Sequence, residues 1–240
     1  MKICVAQIKP DKGNIQENIK SHKSWIEIAV SENANIIIFP ELSLTGYEPE
    51  LAKALAIDKS DTRLDVFQNM SNLNNISIGL GVPTKSIPEN LISMIIFQPN
   101  QIRKIYSKQK LHSDELPFFG EGTEQMILTV ENKNLAPAIC YESLLKEHSQ
   151  NARNLGAEFY LASVAKSQNG IEKALIHYPK IAKAFSMPVV MSNSIGFCHD
   201  FLSSGQSAVW NKEGKLLEQL GSDKEGLLIF DTKTEKVTLV

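Results

Sequence analysis

The chain has 240 residues, enough to bury a sizeable core without disulfide or metal staples. Its 25 Lys and Arg against 27 Asp and Glu leave a formal charge of −2, so no long-range positive field exists to draw in nucleic acid or anionic lipid. At 42% hydrophobic and 22% charged residues it matches neither a disordered nor a membrane-embedded chain, and its 3 cysteines lack C-x-x-C spacing, which excludes a disulfide framework and a thiolate zinc site. The opening run Met1 to Ile8 is too short for a signal peptide, and no later run approaches ~18 uncharged apolar residues, so a soluble cytoplasmic protein is expected.

Ile3 to Ile8 reads as a strand and Asn14 to Val30 as a helix whose Ile15, Ile19, His22, Ile26 and Ala29 form one apolar stripe at 3.6-residue spacing. Ile36 to Phe39 is a short buried strand. Further strands are expected at Ile76 to Val82, Leu91 to Phe97, Ile102 to Tyr106, Met126 to Val130 and Leu135 to Cys140, separated by turn material such as Pro99-Asn100 and Glu131-Asn132-Lys133-Asn134. A helix from about Glu142, a strand at Glu158 to Ala162, a helix over Ile171 to Phe185 and a strand at Val189 to Ser192 follow. Asn169 and Glu172 have the spacing of a capping pair for that last helix, which Pro179 should kink or divide. The final third, through Ala208 to Trp210, Leu227 to Phe230 and Val237 to Val240, reads as strands and Gly-containing turns. With no linker, repeat or low-complexity tract, residues 1–240 are expected to form one layered α/β domain.

Three chemically capable side chains sit where strands end. Glu41 follows the apolar run into Phe39-Pro40, at the carboxyl end where ligands of α/β sheets collect. Lys108 and Lys110 follow the strand ending at Tyr106, either of them a localised positive charge, with Glu115 close enough to return toward Lys108. Cys140 ends Leu135 to Ile139 at the start of a helix, where backbone N–H groups favour thiolate. Alone, each has an ordinary reading: Glu41 as a loop carboxylate or cap, the lysines as a surface charge cluster, Cys140 as a small core hydrophobe. Cys4 lies within an alternating strand and belongs in the core. Cys198-His199 is a poor nucleophile–base pair because neighbours on an extended chain point oppositely, and no H-E-x-x-H, P-loop or G-x-G-x-x-G follows a strand.

In order, Phe39-Pro40-Glu41-Leu42 with Thr45-Gly46-Tyr47, Tyr106-Ser107-Lys108-Gln109-Lys110-Leu111 and Ile139-Cys140-Tyr141-Glu142 resemble the carbon-nitrogen hydrolase family, also called the nitrilase superfamily. The likeness extends over Met1 to Gln7, Ser192 to Gly196 and Gly205 to Ala208. It implies a four-layer α-β-β-α sandwich with two facing mixed sheets, and it implies Glu41 as general base, Lys108 rather than Lys110 as catalytic lysine, Cys140 as nucleophile and Glu115 as an additional active-site glutamate. Lys110 stands before Leu111 where the family often carries histidine. The implied reaction is hydrolysis of a non-peptide carbon–nitrogen bond through a thioester, without metal or organic cofactor, in a homodimer. Tyr141-Glu142 after the cysteine resembles amide-active or acyl-transfer members more than nitrile-only ones, and the absence of spanning segments argues against the membrane acyl-transfer role, so a small amide is expected, with N-carbamoyl or nitrile hydrolysis or soluble acyl transfer as alternatives. Phe118, Phe119, Tyr141 and Phe197 are candidate pocket walls. A catalytically silent scaffold and a Cys-His hydrolase using His199 are the competing classes.

Overall fold

The computed structural model describes residues 1–240. In chain order its elements are β1 (Lys2–Gln7), α1 (Ile15–Ser31), β2 (Ile36–Ile38), α2 (Ala52–Leu55), α3 (Asp65–Asn74), β3 (Ser77–Thr84), β4 (Leu91–Phe97), β5 (Lys104–Ser107), β6 (Leu128–Val130), β7 (Lys133–Ile139), α4 (Lys146–Asn154), β8 (Phe159–Val164), α5 (Gln168–Phe185), β9 (Val189–Asn193), β10 (Ile195–Cys198), β11 (Phe201–Ser204), β12 (Ala208–Trp210), β13 (Leu216–Gln219), β14 (Gly226–Asp231) and β15 (Lys236–Leu239). Seven strands form one sheet in the order β15-β14-β1-β2-β3-β4-β5, six form a second in the order β13-β12-β9-β8-β7-β6, and β10-β11 is a separate hairpin.

The period-2 alternation within the strands decides the layering. Ile3, Val5, Ile36 and Ile38 of the first sheet share a core with Leu135, Ile139, Leu161, Val190 and Val209 of the second. Their neighbours Cys4, Ala6 and Ile37 point the other way and pack under Ile15, Ile19, Ile26 and Ala29 of α1 and Phe67 of α3. On the far side Ala136, Ala138, Tyr160, Ala162 and Met191 receive Ala152 of α4 and Ile171, Ala174, Tyr178 and Ile181 of α5. Strands with both faces apolar therefore sit between helices that each offer one stripe, giving the four-layer α-β-β-α sandwich.

Direction matters for the site. Strands β1, β2 and β3 run parallel, β4 reverses and β5 reverses again, so β2 and β5 deliver their carboxyl ends to the same edge. In the second sheet β7, β8 and β9 are mutually parallel. Polar side chains fix the two sheets against each other: Ser163 donates to the Phe39 carbonyl at 2.7 Å and Ser192 to the Ala6 carbonyl at 2.5 Å.

The expected stripe of α1 is buried throughout, and Asn14 accepts from the Glu17 N–H at 3.3 Å. Elsewhere the structure corrects the sequence reading. Helix α5 starts earlier than Ile171, with Ser167 at its cap, so Asn169 lies inside the first turn and the Asn169/Glu172 capping pair does not form. Pro179 does not divide that helix; the carbonyl it orphans belongs to Leu175, an exposed residue where water can satisfy it. The helix expected from Glu142 begins instead as a 3₁₀ turn, Cys140–Leu144, before α4. Helix α3 went unforeseen because it buries only Phe67 and Ser71, too little for a visible stripe.

Candidate active site

Glu41, Lys108 and Glu115 meet between the facing sheets. The Lys108 ammonium donates to Glu41 Oε1 at 2.8 Å and to Glu115 Oε1 at 2.6 Å, and all three side chains are at most 1% exposed. Backbone bonds hold each in place. The Lys108 N–H donates to the Ile92 carbonyl at 2.8 Å, and the Lys108 carbonyl accepts from the Gly122 N–H at 2.7 Å. Glu115 accepts additionally from the Tyr47 hydroxyl at 2.9 Å and from the His112 N–H at 2.7 Å. Lys110 points outward and pairs with Glu121. Geometry therefore separates the two lysines that local sequence left open.

The Glu41 loop leans on Gly81: a Cβ there would lie 2.3 Å from the Pro40 carbonyl oxygen and 2.4 Å from the Leu42 nitrogen, so only glycine permits this approach. Buried His22 supports the same loop by contacting Ser43 Oγ at 3.0 Å through Nε2 and the Asn18 carbonyl at 2.6 Å through Nδ1; burial lowers its pKa to about 4.

Cys140 arrives from the other sheet at the carboxyl end of β7. Its φ of +45° places it in the left-handed region, which turns the chain sharply out of the strand and into the 3₁₀ turn. The residue is only partly buried and lines a cavity of about 340 Å³, so the thiol is reachable. Glu142 braces this corner. It accepts from the Ile139 N–H at 2.8 Å, the Tyr106 hydroxyl at 2.5 Å and the Gln109 N–H at 2.5 Å, tying the strand end that carries Lys108 to the one that carries Cys140. Tyr106 continues to His148 Nε2 at 2.8 Å, whose Nδ1 meets the Tyr160 hydroxyl at 2.6 Å.

The charge states follow from burial and neighbours. Burial pushes Glu41 up to about 7, against the pull of Lys108 and with the help of the Glu115 charge. Burial works against the Lys108 ammonium, but Glu41 and Glu115 outweigh it and hold the ammonium above the usual lysine value. The Cys140 thiol is pushed up to about 11, by burial first and Glu41 second, while Lys166 and Lys108 pull it down. The thiol is easier to ionise than that of Cys4 inside β1, which burial pushes higher still, but burial and then the neighbouring carboxylates keep it above the usual cysteine value. Glu41 Oε2 is buried without a hydrogen-bond partner, an acceptor left free beside the Cys140 thiol. As the second residue of the 3₁₀ turn, Tyr141 has an N–H that the turn's own i→i−3 bonding does not use, so it and the remaining Lys108 proton are donors at hand.

The pocket walls differ from those anticipated. Tyr141 lines the cavity with Tyr47, Leu144 and Phe201, whereas Phe119 is packed in the inter-sheet core, Phe118 lies outside the cavity lining and Phe197 is 85% exposed. His199 occupies the turn of the β10–β11 hairpin and contacts no cysteine nucleophile, which removes the Cys-His arrangement. No cluster of His, Cys, Asp or Glu is arranged to hold a metal ion. Lys166 was not foreseen. It follows β8 as Glu41 follows β2, a charge ending an apolar run, and that signal was present in Phe159 to Ala165.

The carbon-nitrogen hydrolase sequence profile matches residues 2–240. The chain belongs to the carbon-nitrogen hydrolase family. Among its relatives, it is 25% identical to a glutamine-dependent NAD(+) synthetase of Acinetobacter baylyi over 98% of this chain and 44% of that protein, and 24% identical to a probable nitrilase of Schizosaccharomyces pombe over 95% of this chain and 87% of that one. The chain thus spans less than half the length of the synthetase. A cysteine-to-alanine variant of an amidase from Nesterenkonia sp. AN1, in complex with butyramide, superposes with a TM-score of 0.88 at 19% identity over 98% of this chain and 92% of that chain. This carbon-nitrogen hydrolase therefore has the amidase's fold, including both facing sheets.

Proposed function

We propose that the protein hydrolyses a small amide through a Cys140 thioester. Glu41 Oε2, the buried acceptor without a partner, carries this reading together with the Glu41–Lys108–Glu115 chain. Glu41 takes the thiol proton as sulfur attacks the carbonyl carbon, Lys108 and the Tyr141 N–H receive the oxyanion, and collapse expels ammonia with the proton Glu41 returns. Water, deprotonated by Glu41, then cleaves the thioester to acid and free thiol. With the thiol near 11 and Glu41 near 7, prior formation of thiolate costs on the order of 5 kcal/mol, so proton transfer accompanies attack rather than preceding it. Glu115 keeps Lys108 charged and oriented, fixed itself by Tyr47 and the His112 N–H.

The relatives support this reading: the Nesterenkonia amidase has been solved with the acetamide moiety of fluoroacetamide bonded to its active-site cysteine. The same reading carries a homodimer acting as one 1–240 domain in the cytoplasm; no helix is long and apolar enough to cross a membrane. The test is ammonia release across amides, N-carbamoyl compounds and nitriles, with acyl-enzyme trapped by acid quench and located by mass spectrometry. Amide turnover with the acyl mass on Cys140, and neither in Cys140→Ala, is expected. Activity confined to nitriles, or an acyl group on another residue, overturns the reading.

A further inference from the structure

Cations outnumber their partners in the cavity. Of the acids around it, Glu115 has both carboxylate oxygens engaged, and Asp114 contacts His112 Nδ1 at 2.5 Å. Lys166 is 5% exposed, yet no carboxylate pairs with it; the sole hydrogen-bonding neighbour of its Nζ is the Cys140 sulfur, at 3.8 Å. A buried ammonium without a counter-ion is costly, so its place in a binding cavity points to an anion that arrives with the ligand.

The surroundings of Lys166 are built. Asn193 Oδ1 accepts its backbone N–H at 2.8 Å, and its carbonyl accepts from Asn193 Nδ2 at 3.2 Å. Its stem lies against Gly170, where an added Cβ would come within 3.0 Å of the Lys166 Cβ. That contact is possible because α5, eighteen residues long, begins beside it. The helix has no side-chain cap and no acid in its first turn, and the N–H groups of Gln168, Asn169 and Gly170 have no acceptor within the protein. Ser167, Asn169 and Gly170 line the cavity, as does Lys173, which also lacks a carboxylate partner. A buried ammonium and an open helix amino end thus converge on one volume beside the nucleophile.

We propose that Lys166, the amino end of α5 and Lys173 form an anion subsite, so that the preferred substrate is a small amide whose acyl chain carries a carboxylate. The inference rests on the amide-hydrolase reading above and names its substrate class. Because Nζ lies 3.8 Å from the sulfur, a carboxylate separated from the reacting carbon by only a short spacer, from none to about three methylenes, comes within reach of it.

The decisive experiment compares alkylation of Cys140 by iodoacetate and by iodoacetamide, read by mass spectrometry at that residue and referred to the same ratio for free cysteine. Dividing the two rates cancels any change in the nucleophile, which a role of Lys166 confined to the thiol or to packing would impose on both reagents alike. The wild type should favour iodoacetate by at least ~10-fold over the free-thiol ratio, Lys166→Met should abolish the preference, Lys166→Arg should retain most of it, and succinate should protect Cys140 in the wild type only. A wild-type ratio equal to that of free cysteine, or one unmoved in Lys166→Met, overturns the subsite. Ammonia release from succinamate and butyramide gives the second arm. Succinamate should be preferred at least ~10-fold in kcat/KM, with the preference lost in Lys166→Met mainly through KM. Turnover of butyramide without preference for succinamate overturns the subsite and leaves amide hydrolysis standing. Absence of turnover on any amide overturns amide hydrolysis and the substrate class, while the alkylation ratio still decides whether the anion subsite exists.

Discussion

Glu142 makes no direct contact with the Cys140 sulfur, yet replacing it by glutamine should damage both halves of the site. Its carboxylate accepts from Ile139 N–H, Tyr106 hydroxyl and Gln109 N–H, with a longer contact to Lys110 N–H at 3.3 Å, and is fully buried. Every neighbour on both oxygens is a donor, so the amide introduced by Glu142→Gln must turn its NH₂ toward at least one N–H that it cannot satisfy. Losing about two charge-assisted bonds at ~1.5–3 kcal/mol each gives a destabilisation of about 3–6 kcal/mol. For a chain of this length that lowers Tm by roughly 6–24 °C. The bonds lost are those that tie the Lys108 strand end to the Cys140 strand end, so kcat should fall about 10²-fold in the protein that remains folded. Thermal unfolding followed by circular dichroism, with kcat measured well below the new midpoint, reads both. A variant whose Tm lies within ~2 °C of wild type and whose kcat changes less than about threefold would refute the idea that Glu142 couples the two strand ends.

The other expectations are more local. Because the base must be ionised and burial holds Glu41 near 7, kcat/KM should rise about tenfold per pH unit below 7 and level above it, whereas Glu41→Gln should abolish turnover without unfolding; a wild-type profile flat from pH 5 to 8 contradicts the base assignment. Lys108→Met removes an oxyanion donor and should lower kcat at least ~10²-fold, equivalent to ~3 kcal/mol, and also leave Glu41 and Glu115 facing each other without their shared cation. Near-normal turnover by stopped-time ammonia assay would exclude that role. Gly81→Ala forces a methyl to 2.3 Å from the Pro40 oxygen, which moves the Glu41 backbone, so turnover should drop by ~10² while Cys140 still reacts with iodoacetamide; unchanged kcat would show that the Glu41 loop does not depend on that approach.

How far the sequence could be read depends on where each signal resides. The stripe of α1, the run Leu91–Phe97 and the strand Ala208–Trp210 are local patterns and survive intact in the structure. So are the apolar runs ending at Glu41, Lys108 and Cys140. The facing of the two sheets is not local: Ile3 and Leu135 share a core across most of the chain, and only the resemblance to a family implied it. The pairing of Lys108 rather than Lys110 with Glu41 rests on the path of the chain after β5: Lys108 continues the buried face of Tyr106, and the bend at Gln109 and Lys110 turns the second lysine outward, which a two-residue spacing alone does not reveal. Lys166 was missed for another reason. A charge does close the apolar run of β8, but its only partner is a sulfur from another strand, so nothing nearby in sequence marks that charge as part of the site.

The site also shows why a lysine, and not a second neutral donor, stands between the two glutamates. Glu41 and Glu115 both contact Nζ, at 2.8 and 2.6 Å, so without a cation between them two carboxylates would share one dry volume and one would take up a proton. Lys108 lowers that pressure enough to leave Glu41 near 7, where it can both accept and return a proton at neutral pH, and Glu115, anchored by Tyr47 and the His112 N–H, keeps the ammonium from being drawn wholly onto Glu41. Two of the three ammonium hydrogens are consumed by this arrangement. The third is free, and in the proposed reaction it serves the oxyanion together with the Tyr141 N–H, which follows the sharp turn at Cys140. The proposed chemistry is therefore a property of the packed sandwich: Glu41 and Lys108 come from one sheet, Cys140 and Tyr141 from the other, and the bonds from the Ser163 hydroxyl to the Phe39 carbonyl and from the Gln109 N–H to Glu142 tie the two together.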